Sequence, residues 1–400
     1  MDIQLASFPI GATVELDALS ANPYPILKQL QQEEPVSYVP ALNLYFVTRY
    51  ADVVTVLKDT DRFVVGTEHS LILDIFGEHM MTVEGAAHDH HKKPHRPFFL
   101  PNAIRRTLDP TINRCADALI DEFVAEQQVE LRSSFSSRLP IQIMLSLFGI
   151  PLTEERHFRL LYDDLELAVS NFTWDPTIRN RGKEAAKKFH EIMQHYLDRV
   201  TSKELVDEAG LLASLKNTMV DLRLTDAEIR HNAIIIFFGG ISTVDALILN
   251  TLYALSTHTS DWQAVVQTRE FLPKAIDETI RWLGPVQSAT RHVIKPTSIH
   301  GVDLHIGDTV NCMLAAANRD PEHFEEPEKY NFHRINAHRH LGFATGVHHC
   351  LGSNLARLEA QIAIDKLMRR LPGLRINLET TPPPTGYEFR QPRAMYADWA

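Results

Sequence analysis

Between Leu224 and His258 the chain reads "LTDAEIRHNAIIIFFGGISTVDALILNTLYALSTH", a helical pattern that is apolar on nearly every face. A helix without a polar face must be buried among other elements. Thr225 and Glu228 form a capping-box pair at its start, and the periodic pattern runs to about Thr257. At ~1.5 Å per residue such a helix is roughly 45 Å long. The fold is therefore built around one long buried helix, and the class is mainly α. Gly239 and Gly240 interrupt it, each costing about 1 kcal/mol relative to alanine. Ser242 and Thr243 follow, and both can bond back to a helix carbonyl and bend it. The glycines allow two readings: close packing of a neighbouring helix, or a bulky flat molecule against bare backbone with the Thr243 hydroxyl beside it.

The remaining pattern is helical, with sheet at both ends of the sequence. "PVSYVPALNLYFVTRY" reads as a hairpin, and 291–313 carries the alternation of a small antiparallel sheet. The last twenty residues read as another hairpin. The expected single domain has sheet near 36–50, 286–312 and 374–400, and helix over 51–283 and 313–373. Residues 64–87 mix apolar residues with turn formers and read as a long loop of functional character.

A formal charge of −11 argues against general nucleic-acid affinity. No apolar run suggests a membrane anchor, and the N-terminus lacks the pattern of a secretory signal, so the cytoplasm is the expected location. Three cysteines cannot supply a disulfide framework.

Two further motifs carry chemistry. Glu278 and Arg281 stand at i, i+3 and share a helix face. In "HLGFATGVHHCLGSNLARLEA", Cys350 lies among glycines just before a helical pattern. A helix start lowers a thiol pKa through its free N–H groups and dipole. The residues alone leave several readings: a structural cysteine, a zinc site with His348 and His349, a nucleophile with a histidine base, or a thiolate ligand to haem iron.

The segment "FATGVHHCLG" resembles the haem-binding loop of the cytochrome P450 family, through Phe343, Gly346, His348, Cys350 and Gly352. Ala344 stands where the family usually has glycine, a change that suits a backbone at negative φ. Glu278 and Arg281 match the family's buried Glu-x-x-Arg pair. Pro285, Arg291, "NRDPEHFEEPEKYNFHR" and "HDHHKKPHRPFFLP" follow in family order.

The resemblance implies the cytochrome P450 fold, a haem b cofactor and Cys350 as the axial metal ligand. It implies that His88, Lys92, Arg291 and His348 hold the haem propionates, Lys92 replacing the usual arginine. The other histidines of the 88–95 stretch are then expected to be solvated. Catalysis falls to Thr243, with Ser242 and Gly240 beside it. Here the chain departs from the family, which places an acid where Ser242 stands, to help deliver protons. Asp245 lies on another helix face and is a poor substitute. A water chain through Ser242 is the favoured reading. The others are a substrate that completes the relay and a peroxide-driven or coupling reaction. The pocket is expected to draw on Leu73 and Phe76, on Ile235, Phe238 and Gly239, and on Gln287, Ser288, Ala289 and Phe389. Phe172 and Trp174 would roof it.

The implied activity is haem-thiolate monooxygenation of a small lipophilic or aromatic substrate by O2. Electrons would come from a separate ferredoxin and its reductase, steered to Lys92, Lys93, Arg96, Arg105 and Arg106. A haem- or ligand-binding protein without turnover, and a zinc or cysteine hydrolase, are the readings from other classes.

Overall fold

The computed structural model describes residues 5–201, 210–217 and 223–399, so the last residue of the expected 374–400 sheet segment lies outside it. The apolar segment forms two consecutive helices, Asp226–Gly239 and Ser242–Thr257, broken at Gly240 and Ile241. The capping box of Thr225 and Glu228 is present. Asp226–Thr257 is the one stretch among the described residues long and apolar enough to cross a membrane, and 78% of its apolar window is buried inside the protein. Its burial identifies it as a core element, as its lack of a polar face requires. It shares the largest hydrophobic cluster with the helices Leu139–Phe148, Glu155–Val169, Leu272–Trp282 and Ser353–Arg370.

The strands are, in chain order, β1 (Val36–Val39), β2 (Leu44–Val47), β3 (Phe63–Val64), β4 (Gln128–Glu130), β5 (Ala289–Val293), β6 (Thr297–Ile299), β7 (Val302–Leu304), β8 (Thr309–Cys312), β9 (Arg375–Ile376) and β10 (Tyr396–Asp398). The main sheet runs β1-β2-β8-β5-β3, with β2 and β8 parallel. Alternation places Val36, Tyr38, Tyr45 and Val47 in one apolar cluster, and Val39, Leu44 and Phe46 in another. Both faces of the hairpin are thus covered.

Three expectations are corrected. Residues 64–87 are not one loop: Leu71–Phe76 is helical, and the Ser70 hydroxyl caps it by accepting from Leu73 N at 3.3 Å. Strands also occur where helix was expected, at β3 and β4. Finally, β10 pairs with β4 and β9 rather than simply closing a C-terminal hairpin. A strand as short as β4 carries too few residues to show a period.

Candidate functional site

The break in the central helix has a local cause. A Cβ on Gly240 would stand 2.6 Å from the Met144 sulfur, so that glycine serves helix packing. A Cβ on Gly239 would meet nothing within 4 Å, so that glycine opens onto the cavity. Packing thus accounts for Gly240, while Gly239 leaves bare backbone on the cavity wall. The Thr243 hydroxyl donates to the Gly239 carbonyl at 2.7 Å and lies on the same wall.

The cavity measures about 540 Å³, and the cysteine loop forms another part of its wall. The Cys350 amide donates to the Phe343 carbonyl at 3.0 Å, and Gly352 caps the following helix. Gly346 has φ +79°, and a Cβ there would come within 2.7 Å of the Leu57 carbonyl oxygen, so only glycine fits. Ala344 overturns its expectation: it takes φ +54°, the left-handed region in which a Cβ is strained.

The accessible surface of Cys350 belongs to the cavity, with protein packed around the rest. The donors expected from a helix start are present, in the N–H groups of Gly352 and Ser353, with Lys92 and Arg357 nearby. Burial outweighs them and pushes the thiol pKa up, against the expected lowering.

The groups expected at the propionates converge on the cavity but not in one role. Arg291 is buried; its Nη1 donates to the Thr290 carbonyl at 2.8 Å, while Nη2 has no partner. His348 Nε2 lies 2.8 Å from both oxygens of Glu84, and Nδ1 has no partner. His88 stands 4.8 Å from it, ring to ring, and burial pushes its pKa down to about 4. Lys92 is placed differently from the expectation: its ammonium donates to the carbonyls of Val347 at 2.5 Å and His349 at 3.2 Å, bracing the cysteine loop. Of the other histidines in that stretch, His91 and His95 are buried rather than solvated. His91 Nδ1 meets Asn232 at 2.7 Å.

Glu278 and Arg281 are fully buried. Arg281 makes two bonds to the carboxylate, at 2.8 and 2.7 Å, and donates to the carbonyls of Asn318, Pro327 and Lys329. A buried pair with every donor engaged holds its surroundings in one arrangement.

On the substrate side, Ile235, Phe238, Gly239, Ser288, Ala289 and Phe389 line the cavity, as do Phe172 and Trp174. Leu73, Phe76 and Gln287 do not. The short helix presents Leu71 and Ile72 instead, Phe76 packs behind Phe238 at 5.2 Å, and Gln287 Nε2 donates to the Gly284 carbonyl at 2.6 Å. Asp245 faces away, accepting from Ser136 at 2.6 Å and Arg132 at 3.1 Å. Ser242 Oγ is buried and has no hydrogen-bond partner.

Glu84, Arg357 and Glu388 escaped the sequence reading. Glu84 is the extended N-cap of the helix Gly85–Lys92, and its partner His348 lies far along the chain, so no local signal marks it. Among the described residues no three histidine, cysteine or acidic side chains gather as a metal site.

The residues fit haem. They comprise a soft sulfur donor, bare backbone at Gly239 and Gly352, and buried nitrogens of Arg291 and His348 that lack partners and suit carboxylates.

A family model described as Cytochrome P450 matches residues 10–385. The chain is 29% identical over 362 residues to Cytochrome P450(MEG) of Priestia megaterium, with 87% of each chain covered. It is 31% identical over 379 residues to the cytochrome P450 monooxygenase PikC of Streptomyces venezuelae, covering 90% of this chain and 86% of that one. In fold it is similar to CYP109E1 from Bacillus megaterium in complex with testosterone, with a TM-score of 0.87 at 23% identity over 96% of this chain and 100% of that one.

Proposed function

The chain belongs to the cytochrome P450 family of haem b oxidoreductases, and from that premise we propose that it is a monooxygenase of small lipophilic molecules supplied with electrons by a separate ferredoxin and reductase. One observation carries this reading: Cys350 and Thr243 line the same largely apolar cavity. Haem, when bound, supplies oxygen activation at its iron.

Cys350 holds the iron as thiolate. Arg291 and His348 hold the haem carboxylates through the nitrogens that lack protein partners. Glu84 fixes the His348 ring through Nε2, which leaves Nδ1 directed elsewhere. Thr243 keeps a hydroxyl beside the bare backbone of Gly239, where it can hold a water. Leu71, Ile72, Phe172, Phe238 and Phe389 exclude bulk water and favour an apolar guest.

Proton delivery proceeds through Ser242 and water. The serine hydroxyl is unengaged, whereas Asp245 is held by Ser136 and Arg132 on another face. The electron donor docks on the exposed Lys93, Arg96, Arg105 and Arg106.

The test has two stages. The reduced protein with carbon monoxide should show the red-shifted Soret band of thiolate ligation, and its absence would sink the reading. Product formation with a surrogate ferredoxin and NADH should then exceed that with peroxide alone. The reverse order would favour the peroxide-driven reaction.

A further inference from the structure

Glu388 is a carboxyl in the wall of this largely apolar cavity, which Phe172, Val286, Ala289 and Phe389 also line. Its position is fixed from both ends. The Glu388 carbonyl accepts from the Gln287 amide at 2.9 Å, and its Oε2 accepts from the Ser288 hydroxyl at 2.6 Å. Phe389 next to it bridges to Val286. Among the described residues Ser288 is the only side chain bonded to Glu388, no lysine, arginine or histidine pairs with it, and Oε1 has no hydrogen bond.

A carboxylate so placed is poorly compensated, because an ion in an apolar site needs an opposite charge or several donors. Burial pushes its pKa up to about 7, partly offset by the serine. A structural role would be served equally by glutamine, and the wall would not need an ionisable group. The oxygen without a partner belongs to a side chain lining the cavity. The missing partner is therefore supplied by what the cavity holds. A cation satisfies the carboxylate best, and the cavity's own cations are engaged or placed elsewhere: Lys92 at the cysteine loop and Arg291 at the carboxylate-holding end.

We propose that Glu388 anchors the ammonium group of an otherwise apolar substrate, so that the enzyme acts on lipophilic amines. This rests on the monooxygenase reading only for what happens to the amine afterwards, and binding itself can be read separately. The apolar part of the amine then lies along Phe238, Phe389 and Gly239, and Ser288 positions the carboxyl.

The test uses the holoenzyme and a matched pair of probes, dimethyl(phenylbutyl)amine and the hydrocarbon in which CH replaces its nitrogen. Calorimetry reads affinity, and the haem spin-state shift reads entry near the iron. Glu388→Gln should weaken amine binding by about tenfold or more, while the hydrocarbon changes less than about twofold. Glu388→Asp, which keeps the charge, should retain most of the preference for the amine. Equal effects on both probes, or none on either, would overturn the proposal. An amine-selective loss in calorimetry without any spin-state shift would support the anchor while counting against the monooxygenase reading.

Discussion

The hydroxyl of Thr243 donates to the carbonyl of Gly239 at 2.7 Å across the break in the central helix. Back-bonding of this kind gives a donor to a carbonyl that the interrupted ladder leaves free. It also fixes this hydroxyl beside the open space at Gly239.

Thr243→Ala removes that hydroxyl and leaves the apolar lining intact. Substrate affinity, read by spin-state titration, is expected to stay within about twofold. Product formed per NADH should fall by on the order of tenfold or more, since a positioned proton-handling group contributes at least that much. Peroxide release should rise to match. Unchanged coupling would remove Thr243 from proton handling.

Ser242 defines the second experiment. Its amide donates to the Tyr162 hydroxyl at 3.2 Å, and that hydroxyl donates to the Phe238 carbonyl at 3.2 Å. The nearby Glu166 carboxyl has its pKa raised by burial. The serine approaches this acid without closing a hydrogen bond. Ser242→Asp should raise product per NADH, because it restores an acid directly before Thr243. Glu166→Gln should lower it if that carboxyl feeds the relay. No gain in coupling with aspartate would count against a proton-delivery deficit.

Much of this site could be read from the chain because its signals are local. The capping box of Thr225, the glycine pair and the loop around Cys350 each lie within a few residues, and each fixes backbone more than it depends on neighbours. What could not be read depends on partners distant in sequence. Lys92 is set by the carbonyls of Val347 and His349, far along the chain. Leu73 and Phe76 were misplaced because a six-residue helix turns its faces according to what it packs against. Glu388 gave no sequence signal, since its meaning lies in the cavity it faces.

Ala344 offers a stability test. Its φ of +54° costs a residue with a Cβ roughly 1 kcal/mol relative to glycine. Ala344→Gly should therefore stabilise the protein by up to ~1 kcal/mol, reduced by the greater freedom of glycine in the unfolded chain. Urea unfolding of the holoprotein measures this as a higher midpoint at unchanged slope. A lower midpoint would mean that the alanine methyl contributes more by packing than its backbone strain costs.

Acid sensitivity follows from two imidazoles buried in the interior. His79 and His95 are both 0% exposed, and burial pushes their pKa values down to about 3 and about 4. His79 Nδ1 accepts from the Met81 amide at 3.2 Å, which requires the neutral ring, and Nε2 of each ring lacks a partner. In the unfolded chain both rings take up protons near the ordinary value of ~6.5. Between that pH and the native values the unfolded state binds more protons, so stability falls as pH falls. The stabilisation is complete above about pH 6.5 and is lost progressively toward pH 3–4. Each ring contributes a slope approaching ~1.4 kcal/mol per pH unit in that window. His95→Gln should reduce the measured slope by about one proton between pH 6 and 5, read from urea midpoints across a pH series. An unaltered slope would show that His95 is protonated in the folded protein as readily as in the unfolded chain.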